Sequence, residues 1–153
     1  MTTAEPPTSF LHLVVGYDGS PPASRALDGA VRLLQGRTGR IEVVYVAHLS
    51  SVVMLSADAI AEMEQDFSEI EQELRASAAE QLGGKTEAWG FQRRRGAIAE
   101  ELVAAANDLK EADAAGTEVV IVVGSSSHAT HRVIGSVAVS LARHSPVPTL
   151  IVP

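Results

Sequence analysis

Leu11-His12-Leu13-Val14-Val15-Gly16-Tyr17-Asp18-Gly19-Ser20-Pro21 runs from an apolar stretch through a turn to a helix start. Leu11 to Val15 reads as a strand. Gly16 to Ser20 supplies the turn. Ser20 suits a helix N-cap, and Pro21 suits the first helical position, where its missing N–H costs nothing. Ala26, Leu27, Ala30, Val31, Leu33 and Leu34 then keep helical spacing up to Gly36.

The same alternation continues outward from this unit. Ile41 to Ala47 is nearly all apolar and suits a central strand covered on both faces. A loop, His48 to Leu55, leads to a long amphipathic helix. In it Ile60, Met63, Phe67, Ile70, Leu74 and Ala78 recur at three and four residues, and it stops near Gly83-Gly84. Thr86 to Gln92 reads as a third strand near an edge, followed by Arg93-Arg94-Arg95-Gly96. Ala97 to Leu109 is helical. Val119 to Val123 is the most apolar strand, and Gly124-Ser125-Ser126-Ser127-His128 opens a loop after it. A helix from about Gly135 to Arg143 precedes Pro146 and Pro148, and Thr149 to Val152 is a last strand. This order predicts an α/β fold: a single doubly wound domain, a five-stranded parallel sheet with helices on both faces. The domain is expected over residues 10–153, after a flexible leader, 1–9. In such sheets ligands bind beyond the carboxyl ends of the strands, where strand order reverses. The loops Gly16 to Ser20 and Gly124 to Ser136 are therefore the expected floor of a site.

Composition narrows the function. The chain has 153 residues, 46% apolar and 20% charged, as expected of one globular domain. No cysteine is present, which excludes thiolate metal sites, disulfides and cysteine nucleophiles. No apolar run approaches the ~18 residues of a membrane span, and Met1 to Ser9 resembles no secretory signal. A cytoplasmic protein without membrane partners is expected. The net charge of −7 argues against nucleic acid as a partner. The acids are clustered, with Asp58, Glu62, Glu64, Asp66, Glu69, Glu71, Glu73 and Glu80 on the long helix. Val119 to Pro153 contains none, and a stretch without carboxylates tolerates an anion.

Several familiar motifs fail on inspection. Gly84-Lys85-Thr86 ends a helix instead of opening one, and Ala79 stands where a P-loop needs its first glycine. Gly16-x-x-Gly19 lacks a dinucleotide fingerprint. Gly124-x-Ser126-x-His128 has His where a nucleophile elbow needs glycine, and no acid follows Glu118 to complete a triad. His128-x-x-His131 has no nearby carboxylate to complete a metal site. Arg93 to Arg95 reads as a solvated strand end, with a phosphate contact as the rival role. Asp18 lacks the paired acid of a receiver domain.

Gly124-Ser-Ser-Ser-His-Ala-Thr-His-Arg-Val-Ile-Gly135-Ser136-Val137 remains, and it resembles the signature of the universal stress protein family. That signature is Gly, two residues, Gly, nine residues, then Gly followed by Ser or Thr. Val14 to Pro21, Val43 to Val46, Val120 to Ser125 and Arg143 to Pro153 are similar to the family's first turn, second strand, fourth strand and ending. The resemblance implies an adenine-nucleotide alpha-hydrolase-like fold and a homodimer through the last strand. It also implies ATP or a related adenine nucleotide as ligand in one branch, with Mg as an optional companion. Carried over, Gly16, Asp18 and the backbone of Val46 would face the adenosine. Val123, Gly124, Ser126 and Ser127 would line the first half of the phosphate loop. Gly135, Ser136 and Val137 would hold phosphates where a helix N-terminus favours an anion.

The chain departs from the signature twice: Ser127 replaces the second glycine, and seven residues separate it from Gly135. Ser125, Ser126, Ser127, His128, Thr130, His131 and Arg132 offer replacement donors. The expected function is a stress-response regulatory module binding an adenine nucleotide. The alternative is a nucleotide-free family member that uses its dimer and acidic helix to hold a protein partner. No residue supplies an evident base, so no enzyme is expected beyond slow ATP hydrolysis.

Overall fold

The computed structural model describes residues 9–48, 55–86, 88–112, 116–126 and 135–153. Strands β1 (Phe10–Gly16), β2 (Gly39–Ala47), β3 (Trp89–Arg95), β4 (Thr117–Gly124) and β5 (Thr149–Val152) alternate with helices α1 (Pro21–Leu34), α2 (Ala57–Leu82), α3 (Ile98–Ala112) and α4 (Ser136–His144). The strands form one parallel sheet in the order β3-β2-β1-β4-β5. The doubly wound architecture read from the sequence is the one observed. Chain order runs outward from β1 in both directions, so the reversal falls between β1 and β4.

Alternation along β1 divides the core. Leu11, Leu13 and Val15 pack on one face with Ala26, Leu27 and Ala30 of α1 and Leu74, Ala78 and Leu82 of α2. Val14 packs on the other with Leu102, Ala105 and Ala106 of α3 and Ala138 and Leu141 of α4. Small residues let α1 lie close to the sheet. A Cβ on Gly29 would come within 2.8 Å of Val152 Cγ2.

The third strand corrects an expectation. It spans Trp89–Arg95, not Thr86 to Gln92, because it pairs with β2 from Ile41↔Trp89 to Ala47↔Arg95 and ends with its partner. All three arginines thus belong to the strand: Arg93 and Arg94 are half-buried, not solvated, while Arg95 at its end stays exposed. Arg93 and Arg95 turn to α2, where Arg93 meets Glu64 at 3.3 Å and Glu71 at 3.5 Å, and Arg95 also pairs with Glu64. Arg94 turns to α3, meeting Glu101 at 2.9 Å and Asp108 at 3.0 Å. Ion pairs take the place that apolar packing holds elsewhere. The acidic run of α2 is thereby partly explained: some of its carboxylates hold the helix on this edge strand. Among the described residues no helix is long and apolar enough to cross a membrane.

Candidate functional site

A cleft opens at the carboxyl ends of β1 and β4, where the strand order reverses. Its volume of about 220 Å³ is several times the roughly 30 Å³ share of one water, so it accommodates an organic ligand.

The β1 side is a braced turn. Tyr17 N donates to the Val44 carbonyl at 2.9 Å, and the Tyr17 hydroxyl bonds Ser77 Oγ of α2 at 3.0 Å. Asp18 Oδ1 accepts from Ser20 N at 3.0 Å, and Ser20 Oγ accepts from Ala23 N at 3.4 Å, capping α1. Gly19 sits at φ +78°, where only glycine is comfortable, and a Cβ there would meet Leu74 Cδ2 at 2.7 Å. Asp18 is exposed at the rim. One of its oxygens serves the turn; among the described residues Oδ2 has no partner and is available to a ligand hydroxyl or amine.

The floor is apolar. Val44, Val46, Ile98, Leu102 and Val123 line it. Gly16 keeps it low, since a Cβ there would press on Leu102 Cδ1 at 3.1 Å.

The far wall carries donors. Gly135 caps α4 without any side-chain hydrogen bond. Val139 N is bonded to the Gly135 carbonyl at 3.0 Å, so the helix ladder starts there. The amides of Ser136, Val137 and Ala138 precede that first bond, and all three residues line the cleft. By contrast, Ser20 and Ser56 cap α1 and α2 with their own side chains. An uncapped N-terminus beside a cleft favours an anion through its amides and its dipole. Among the described residues no group of three or more His, Asp or Glu side chains is placed to hold a metal ion.

Gly16, Asp18, Val46, Val123, Gly124, Ser126, Gly135, Ser136 and Val137, separated by up to 121 positions in sequence, line this one cleft. Ser127 lies outside the described residues, as do His128, Thr130, His131 and Arg132. Sequence reasoning missed Pro22, Ala23, Val44, Ile98, Leu102 and Ala138. Ile98 and Leu102 carry only the spacing of a core-facing helix, a signal that does not separate lining from core. Gly124 has a reason other than ligand approach: a Cβ there would run into the Pro22 carbonyl. Near this turn, burial raises the pKa of the Tyr45 phenol; Arg93 opposes the shift and Asp18 adds to it.

The model of the universal stress protein family matches residues 9–153. Among solved structures, a universal stress protein from Lactobacillus plantarum superposes with a TM-score of 0.75 at 17% identity, covering 95% of this chain and 99% of that one. A universal stress protein in complex with cAMP gives 0.62 at 26% identity, covering 94% and 97%. A family member from Burkholderia pseudomallei gives 0.61 at 23%, covering 93% and 95%. No curated protein matches the sequence significantly.

Proposed function

The chain belongs to the universal stress protein family, and from that premise we propose that it is a stress-response regulatory module binding an adenine nucleotide in the cleft between β1 and β4. The observation that carries this reading is the pairing of two unlike ends across an apolar floor. At one end the Asp18 carboxylate has an oxygen available for a hydroxyl or an amine. At the other, α4 presents amides without a side-chain cap. A nucleotide has the matching ends: a hydrogen-bonding nucleoside and an anionic phosphate. The relative in complex with cAMP, at 26% identity, supports an adenine nucleotide. ATP is the ligand proposed from the sequence, with its phosphates held at Gly135, Ser136 and Val137.

The adenosine would face Gly16 and Val46, with Asp18 on the ribose or the adenine amine. Apolar contact with the base and donors on the phosphates would together fix its direction. The module is proposed to act by occupancy: among the described lining residues the carboxylate is Asp18, at the proposed adenosine end. We further propose a homodimer through β5, whose outer edge pairs with no strand among the described residues.

The test is calorimetric titration of nucleotide-stripped protein with ATP, AMP and cAMP, repeated with Asp18→Ala and with the double variant Gly135→Ala, Ser136→Ala. Micromolar binding, weakened by both changes, is expected. Absence of heat at concentrations that would reveal ~100 μM affinity (about 5.5 kcal/mol) would refute the reading and leave a nucleotide-free interaction module.

A further inference from the structure

We propose that Arg25 is a positioning residue for the nucleotide phosphates, acting through the Ser125–Ser126 peptide. The inference rests on the nucleotide-binding reading and names the device that aims one donor of that site.

Arg25 sits on α1, half-buried, one turn past the N-cap. Among the described residues its guanidinium meets no Asp or Glu side chain. This sets it apart from Arg37, Arg40, Arg75 and the β3 arginines, each of which pairs with an acid. Arg25 reaches main chain instead. Its Nε donates to the Pro153 main-chain oxygen at 3.1 Å, and its Nη2 donates to the Ser125 carbonyl at 3.4 Å. Two prongs of one rigid plane therefore hold the end of β5 and the exit of β4 together. Ser125 N donates to the Val152 carbonyl at 2.8 Å, so Ser125 is pinned by both of its main-chain polar groups.

That pinning sets a direction. In a trans peptide the C=O and the following N–H point opposite ways. With the Ser125 carbonyl turned to α1, the Ser126 N–H is turned away from α1. The start of α4 lies beside Ser126: the ideal Cβ position of Gly135 is 3.8 Å from Ser126 N and 2.5 Å from Ser126 Oγ. Among the described residues Ser126 N has no acceptor. Arg25 thus holds the Ser126 N–H among the amides of Ser136 and Val137, as a further donor to the same anion. If the peptide turned over, a carbonyl oxygen would face that anion instead.

The test compares wild type, Arg25→Ala and Arg25→Lys. Affinity is measured for whichever of ATP, AMP and cAMP binds most tightly and for adenosine, which lacks phosphate; thermal stability is followed in parallel. In Arg25→Ala the phosphate-bearing ligand should weaken by about tenfold, the worth of one hydrogen bond to a charged group. Adenosine should change by less than about twofold, within the usual scatter of a surface change. Arg25→Lys keeps the charge but lacks the two-pronged plane, so most of the loss should remain. Full recovery in Arg25→Lys would overturn the proposal in favour of simple charge attraction. Equal weakening of both ligands with a lower melting temperature would overturn it in favour of a purely structural role. Wild type that binds while Arg25→Ala keeps full affinity overturns this inference alone. Wild type that binds no phosphate-bearing ligand overturns it together with the proposed function.

Discussion

Gly124 and Gly135 look alike in the sequence, and the structure gives them different duties. A Cβ on Gly124 would run into the Pro22 carbonyl, rigid backbone at the start of α1. Gly124→Ala must therefore shift a helix, and about 1–3 kcal/mol of stability should be lost, read from denaturant midpoints. A Cβ on Gly135 would meet the far end of the Ser126 side chain, which can rotate away. Gly135→Ala should lose less than about 1 kcal/mol yet weaken nucleotide binding, because the new methyl stands between Ser126 and α4. Tyr45 makes a pH-dependent prediction. Burial raises its folded pKa above the unfolded value. At high pH the unfolded chain releases that proton more readily, so the stability Tyr45 contributes is complete below the ordinary phenol pKa and is lost as pH rises through and beyond it. Melting temperatures followed from roughly pH 8 to 11 should fall more steeply in wild type than in Tyr45→Phe. Parallel curves would contradict the assignment.

Elements were legible where pattern and capping agreed. Ser20, Pro21 and Gly36 delimit α1, and the helix observed runs from Pro21 to Leu34. Thr149 to Val152, bounded by Pro148 and Pro153, is β5 in sequence and structure alike. The cleft residues were legible through loop position after β1 and β4 combined with the family signature. What stayed hidden depends on partners far along the chain. Arg93, Arg94 and Arg95 give no strand signal of their own, because strand preference depends on the neighbours a side chain packs against, and here those are acids on the flanking helices. Glu64 and Glu71 lie one helix earlier, and Glu101 and Asp108 one helix later. Arg94→Ala should therefore cost about 1–3 kcal/mol, more than removal of its exposed partner in Asp108→Asn. Equal costs in chemical denaturation would mean that the network acts only as screened surface charge.

At the scale of the whole molecule the two sheet edges differ. Along β3 the arginines are tied to α2 and α3, and charge on an edge discourages pairing. Along β5 no charge intervenes, and Leu150 is 37% exposed. An apolar, uncharged edge favours addition of a second copy, so sedimentation at micromolar concentration should give a dimer and Leu150→Glu a monomer. A wild-type monomer would contradict the proposed assembly and leave the cleft untouched, since every lining residue belongs to one chain. The central claim is that one cleft, built from β1, β4 and the start of α4, receives an adenine nucleotide. Its most direct test is amide chemical-shift mapping of the nucleotide-stripped protein during titration with ATP. The account predicts shifts at Gly16, Val46, Gly124, Ser126, Ser136 and Val137, with β3 and the acidic helix unchanged. Shifts confined to other surfaces, or none at millimolar ATP, would contradict it.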